Sequence, residues 1–202
     1  MSVQENKEHL ILASARKHFA SKGYSGVSLQ DIAADAGTTK SMVNYYFRSK
    51  EKLFSVIFLR EFQLLFSSIA SFLLEDLPLK EKIANIVSLD VDRLLTMPEL
   101  PLFIMGEMHR NPDIVLKHLE HIPIDQLLFN LDKQIKKEVR QGVIRYIPPR
   151  ELMINIQSLT IFPFLSKPMM IGRLGYTEKT FTALMHKRKK DIVDTIWKSI
   201  AV

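Results

Sequence analysis

The 202-residue chain contains no cysteine. Disulfides, thiol nucleophiles and thiolate-bound metals are thereby excluded. Glycine is scarce too, at seven residues. No run of glycines forms a phosphate-cradling loop, and zinc-protease and nucleophile-elbow patterns are missing. The sequence therefore points away from an enzyme. It nominates no catalytic residues and no metal ligands, and it implies no cofactor. Long hydrophobic runs are also lacking. The longest apolar stretch, Leu152 to Leu165, is too short to span a bilayer and is broken by Asn155, Gln157 and Pro163. Met1 to His9 is polar and leads into no signal-peptide hydrophobic region. The expectation is a soluble, cytoplasmic chain with no membrane partner.

Hydrophobic residues make up 47% of the chain, enough for one sizeable core or for a small domain joined to a larger one. The formal net charge is +6 and the sequence pI is about 9.4. Residues 1–60 hold nine Lys/Arg against five Asp/Glu, so most of the excess sits in under a third of the chain. A basic N-terminal segment favours nucleic acid as a partner.

Apolar residues recur three and four apart almost throughout, which predicts an all-α fold. Ile11, Ala15 and Phe19 form a first stripe ended by Gly23. Leu29, Ile32, Ala33 and Ala36 form a second, ended by Gly37. Thr39 can cap a third helix carrying Val43 and Phe47. Ser49 can cap a fourth that runs to about Leu74. Pro78 opens a fifth with Ile83, Ile86, Val87, Val91 and Leu94. A sixth covers about 99–109. Asn111-Pro112 caps and starts a seventh. An eighth carries Leu128, Leu131, Ile135 and Val139 and stops at Gly142. Pro148-Pro149 opens a ninth with Leu152, Ile156 and Leu159. A last helix carries Phe181, Met185, Ile192, Ile196 and Ile200. About nine to ten helices are expected, with a domain boundary inside the fourth.

The informative stretch is Gly26 to Phe54. Ser28 and Asp31 read as a capping box. Gly37 can adopt the left-handed conformation that ends a helix. A second short helix begins two residues later, and small alanines let the pair pack closely. This is the pattern of a helix-turn-helix. The second helix keeps Val43 and Phe47 inward and shows Lys40, Ser41, Asn44 and Tyr45 outward. Such groups suit base edges and phosphates, and an Asn can pair bidentately with adenine. Lys50 lies in the first turn of the next helix, where an ammonium and a helix N-terminus can share a phosphate.

Residues 8–54 resemble the DNA-binding domain of the TetR (tetracycline repressor) family. The resemblance rests on Phe19 with Gly23 and Tyr24, Ser28 with Ile32 and Ala33, Ala36-Gly37, Tyr45-Tyr46-Phe47 and Ser49-Lys50-Glu51-Lys52-Leu53. It implies a three-helix helix-turn-helix domain, residues 1–48, joined by a long helix to a helical regulatory, ligand-binding and dimerisation domain, residues 49–202. It also implies DNA contacts from Ser28, Gln30, Thr39, Lys40, Ser41, Asn44, Tyr45, Tyr46 and Lys50. Family members often carry Tyr where this chain has Asn44, so the operator here is expected to be its own. By the same resemblance the chain is a homodimeric repressor, paired through about 149–167 and 177–200. An unidentified small-molecule inducer would release it from a palindromic double-stranded operator.

Possible inducer-lining residues are Phe103, Met105, Met108, Phe129 and Phe162, although methionines and aromatics at helical spacing also describe ordinary core. Asp90 is more pointed, because a carboxylate within an apolar stripe is costly unless paired. A cationic ligand, Arg93 or His109 could satisfy it, or it could sit at the stripe's edge. His118 and His121 share a helix face, but with no third ligand they do not predict metal. An alternative function is a DNA-binding or protein-interaction module of the same fold with no small ligand.

Overall fold

The computed structural model describes residues 3–22, 24–110, 112–117 and 119–202, and within them all side chains except those of 3–6, 20, 103, 107, 110, 114 and 115. The expected roles of Gly23, Asn111 and His118, and of the Phe103 side chain, fall outside the described residues. Among the described residues the chain is helical and holds no named strand. The helices are α1 (Val3–Lys22), α2 (Leu29–Asp35), α3 (Lys40–Phe47), α4 (Lys50–Leu74), α5 (Leu79–Thr96), α6 (Leu100–Arg110), α7 (Pro112–Lys117), α8 (Ile124–Arg140), α9 (Pro149–Leu165), α10 (Lys167–Arg173) and α11 (Glu178–Ile200).

Two compact units result. One gathers the chain up to Gln63 with the segment from Thr96 through α7; the other gathers Leu64–Leu95 with residues 119–202. The α4 helix runs from the first into the second. By length and composition alone α4 is long and apolar enough to cross a membrane, although no such segment is expected from the sequence. Its apolar side chains are partly buried inside the protein, while Val56, Leu64 and Leu74 are exposed. Leu53, Phe54, Ile57 and Phe58 are buried in its first half, and Leu65, Ile69 and Leu73 in its second.

In the smaller unit the first stripe behaves as its spacing predicts: Ile11, Ala15 and Phe19 are fully buried. The buried hydroxyl of Ser14 donates to the Ile32 carbonyl at 3.0 Å and ties α1 to α2. Arg16 pairs with Glu61 at 2.8 Å, fixing α1 against α4.

In the larger unit α5 buries Ile83, Ile86, Val87, Val91 and Leu94, as expected. The inner face of α8 is Leu127, Leu131 and Ile135, so the stripe begins one residue before the expected Leu128. The turn between α4 and α5 is held by polar side chains. Lys82, buried, donates to the Leu73 carbonyl at 2.8 Å. Gln134 donates to the Leu77 carbonyl at 2.8 Å, and Glu138 accepts from the Leu79 N–H at 3.0 Å. Carbonyls at a helix C-terminus have no partner within the helix, and Lys82 supplies one for α4. Burial holds its ammonium pKa below the usual lysine value.

A proline inside α9 has a similar remedy. Pro163 has no N–H, so it cannot bond to the carbonyl four residues earlier, that of Leu159. Arg188 on α11 donates to that carbonyl instead, at 3.0 Å. The basic run Lys187 to Lys190 on α11 is thus partly engaged in packing. Arg188 is half-buried against α9, and Lys189 pairs with Asp92 at 2.6 Å. One short helix was not expected. The ninth helix is expected to reach about residue 167, whereas α9 ends at Leu165 and α10 starts at Lys167 with proline in its first turn.

Candidate nucleic-acid interface

The helix-turn-helix is built from local hydrogen bonds. Ser28 has extended backbone, and its hydroxyl accepts from the Asp31 N–H at 3.1 Å. The Asp31 carboxylate accepts from the Ser28 N–H at 3.2 Å and from its hydroxyl at 2.7 Å. Those bonds hold the Asp31 pKa below the usual carboxylate value. Ile32 and Ala33 turn inward. Gly37 then takes φ 62°, a conformation suited to glycine. Thr39 caps α3 by accepting from the Met42 N–H at 3.3 Å. Every one of these local roles was legible in the residues.

The α3 helix buries Val43 and Phe47 and leaves Lys40, Ser41, Asn44 and Tyr45 exposed on the opposite side, Tyr45 at 69%. Gln30 and Thr39 are exposed as well, and Tyr46 is half-buried with its ring 5.4 Å from that of Tyr45. The structure thus brings the expected contact residues onto α3 and the starts of α2 and α4. Two of them are partly committed elsewhere: the hydroxyls of Ser28 and Thr39 cap helices, which leaves each only a lone pair or a proton for any further contact.

Beneath this surface lies an aromatic cluster. Phe19, Tyr24, Phe54 and Phe58 pack with ring centroids 3.9 to 6.2 Å apart. Lys50 places its ammonium 4.3 Å from the centre of the Tyr24 ring. That cation–π contact steadies a long side chain that would otherwise be mobile. Ser49 caps α4 by accepting from the Lys52 N–H at 3.1 Å.

One residue outside the expected set sits on the same rim. Arg48 joins α3 to α4, is exposed, and has φ 62° and ψ −40°. Its spacing gave a hint, since a single residue lies between the buried Phe47 and the cap Ser49, a gap that forces a tight turn.

The inducer candidates are more scattered. Met105 and Met108 are exposed on α6 in the smaller unit. In the larger unit Phe129 is exposed on α8 with the Lys133 ammonium 4.3 Å over its ring. Phe162 is 64% exposed and lines an open apolar groove of about 670 Å³ along α9, α10 and α11. Asp90 is 1% exposed, so it is in the interior and not at the edge of its stripe. Its partner is neither Arg93 nor His109 but the Gln157 amide, which donates to Oδ2 at 2.8 Å. Its other oxygen, Oδ1, is buried without a hydrogen bond. Desolvation pushes the carboxyl pKa up to about 7, against the downward pull of the Gln157 bond. Gln157 also lines the groove, so Asp90 lies one hydrogen bond behind its wall.

Comparison with known proteins agrees with this geometry. Residues 11–57 match the family of bacterial regulatory proteins, tetR family. Over 49 residues the chain is 45% identical to an uncharacterized HTH-type transcriptional regulator, YuxN, of Bacillus subtilis; the match covers 24% of this chain and only 17% of that relative. A transcriptional regulator of the TetR/AcrR family from Thermobifida fusca shares the fold at a TM-score of 0.66 with 16% identity, over 96% of this chain and 97% of its own. A transcriptional regulator from Cytophaga hutchinsonii does so at 0.65 with 18% identity, over 97% and 99%.

Proposed function

We propose that this TetR-like chain is a homodimeric, sequence-specific repressor that binds a palindromic operator and is released by a small-molecule inducer, acting in the cytoplasm. The observation that carries the reading is α3: a side-chain-capped helix anchored by buried Val43 and Phe47, whose outer face is Lys40, Ser41, Asn44 and Tyr45. Base edges are read by short polar groups held on a rigid helix, while flanking cations and hydroxyls fix the register on phosphates. One such helix reads only a few base pairs. A twofold pair reads two half-sites about 34–36 Å apart, which is the reason for a dimer.

In this reading the apolar stripe of the last helix is not what meets a partner. Phe181, Met185, Ile192, Ile196 and Ile200 are all buried within the subunit. The side of α9 facing away from its buried residues is apolar too. Ile154, Phe162 and Leu165 share that side and are exposed, as are Met169 on α10 and Leu174 just after it. A helix that is hydrophobic all round is one that becomes buried all round. The second subunit supplies the cover in this reading. Inducer recognition centres on Asp90, since a buried carboxylate with an uncommitted oxygen favours a cationic or hydrogen-donating ligand. Coupling of about 1–3 kcal/mol between ligand and operator sites would shift DNA affinity 5–150-fold.

Selection of bound DNA from a random pool, repeated at several salt concentrations, tests the reading. A palindromic site with steep salt dependence is the expected result; enrichment of no sequence would sink it. Within that site Asn44→Ala is expected to relax the preference at one position per half-site, at a cost of about 1–3 kcal/mol. Lys50→Ala, in contrast, should weaken all sequences alike and flatten the salt dependence.

A further inference from the structure

Arg48 occupies a backbone conformation that L-residues avoid. Its φ of 62° is positive, and its ψ of −40° lies outside even the small left-handed region open to side chains. The Ser49 N–H reaches back to the Phe47 carbonyl at 2.7 Å, across this one residue. This is a γ-turn of the rare kind with positive φ at its centre, which is strained. Elsewhere among the described residues the chain meets positive φ with glycine each time, at Gly37, Gly142 and Gly175. Arg48 alone departs from that usage.

The turn itself has a clear reason. It reverses the chain from α3 into α4 within one residue and lets Ser49 cap α4 at once. Nothing in the turn requires an arginine. The side chain is exposed and makes no ion pair among the described residues. A glycine would fit the backbone with less strain. A cation at the C-terminus of α3 gains a little from the helix dipole, but an exposed one gains little in salt. What Arg48 adds is a guanidinium on the rim of the reading face, between Asn44 one turn back on α3 and Lys50.

From this we infer that Arg48 is a further phosphate-contacting residue, kept in a strained turn because the turn aims its guanidinium at the DNA backbone beside the reading helix. The inference rests on the DNA-binding reading proposed above. A planar guanidinium bonds two phosphate oxygens at once, and a side chain held by a fixed turn loses less freedom on binding. Strain of this kind gathers where function over-determines the backbone.

The test compares the full-length protein with its Arg48→Gly, Arg48→Gln and Arg48→Lys variants on the DNA selected by the parent, at several salt concentrations, with thermal melts in parallel. Arg48→Gly is expected to melt no lower than the parent, yet to bind roughly tenfold more weakly per half-site at about 0.1 M salt, and to lower the slope of log K against log salt by about 0.9 per half-site. Arg48→Gln, which keeps the strained turn without the charge, should lose the same slope. Arg48→Lys should keep the slope. Unchanged affinity and slope in Arg48→Gly, with the parent binding normally, would overturn this inference alone. A parent that binds no DNA would overturn both it and the reading beneath it.

Discussion

Replacing Asp90 with Asn is expected to stabilise the protein by roughly 3 kcal/mol at pH 8 and to have little effect near pH 4. The reason is a difference in proton affinity between the folded and unfolded chain. Unfolded, the carboxyl titrates at its ordinary value of 3.8; folded, burial raises it to about 7. Between these values the folded state holds a proton that the unfolded state has released. Stability must then fall as pH rises from about 4 to 7, and stay at its lower level above. A displacement of about three pKa units corresponds to at most about 4 kcal/mol at 1.36 kcal/mol each. The unpartnered Oδ1 explains why the charged form is disfavoured: one oxygen has the Gln157 amide and the other has nothing. The amide of Asn is neutral at every pH and still offers Gln157 an acceptor. Urea denaturation of both proteins at pH 4, 6 and 8 measures the effect. Parallel pH profiles for the two would show that Asp90 is not the group responsible. A ligand that brings a cation or a donor to Oδ1 would lower the Asp90 pKa and release a proton, so inducer binding should strengthen as pH rises from 6 to 8.

The parts of this protein that were legible in its residues are those whose hydrogen bonds close over a few positions. Ser28, Thr39 and Ser49 announce three helix starts because a hydroxyl can reach an N–H two or three residues on. Gly37 announces a turn because the backbone there needs positive φ. The reading face of α3 followed from helical period alone, since fixing Val43 and Phe47 inward leaves Asn44 and Tyr45 outward. Asp90 shows where such reasoning stops. Its place in an apolar stripe was visible, but its partner Gln157 lies 67 positions away and no local pattern links them. Arg188 is similar. It is one member of the basic run Lys187 to Lys190, and only the fold reveals that it answers a carbonyl left free by Pro163. The stripe on α11 shows another limit. Period shows which face of a helix is apolar, not whether that face meets its own subunit or a second one. The outward apolar residues of α9 were masked for the same reason: a helix apolar on two sides has no clean stripe.

Those outward residues carry the largest expected effect on function. On the proposed dimer, Phe162→Glu should give a monomer and weaken operator binding roughly a thousandfold, because a specific affinity in the range of about 10⁻⁸–10⁻¹¹ M would draw on both half-sites. Phe162 is mostly solvent-exposed in the subunit, so a carboxylate there has no core to disturb. Across a second copy the same carboxylate would lie in an apolar surface made of Ile154, Leu165, Met169 and Leu174, and desolvating it unpaired is costly. By symmetry an isologous interface brings in each such charge twice. Light scattering after size-exclusion chromatography reports the mass, circular dichroism confirms that helicity is kept, and DNA titration reports the affinity. Loss of mass and loss of affinity must occur together, over the same protein concentrations, if dimerisation through α9 is what sets the half-site spacing. A fully helical Phe162→Glu variant that stays dimeric would place the interface elsewhere, and a monomer that binds as tightly as the parent would remove the need for a dimer.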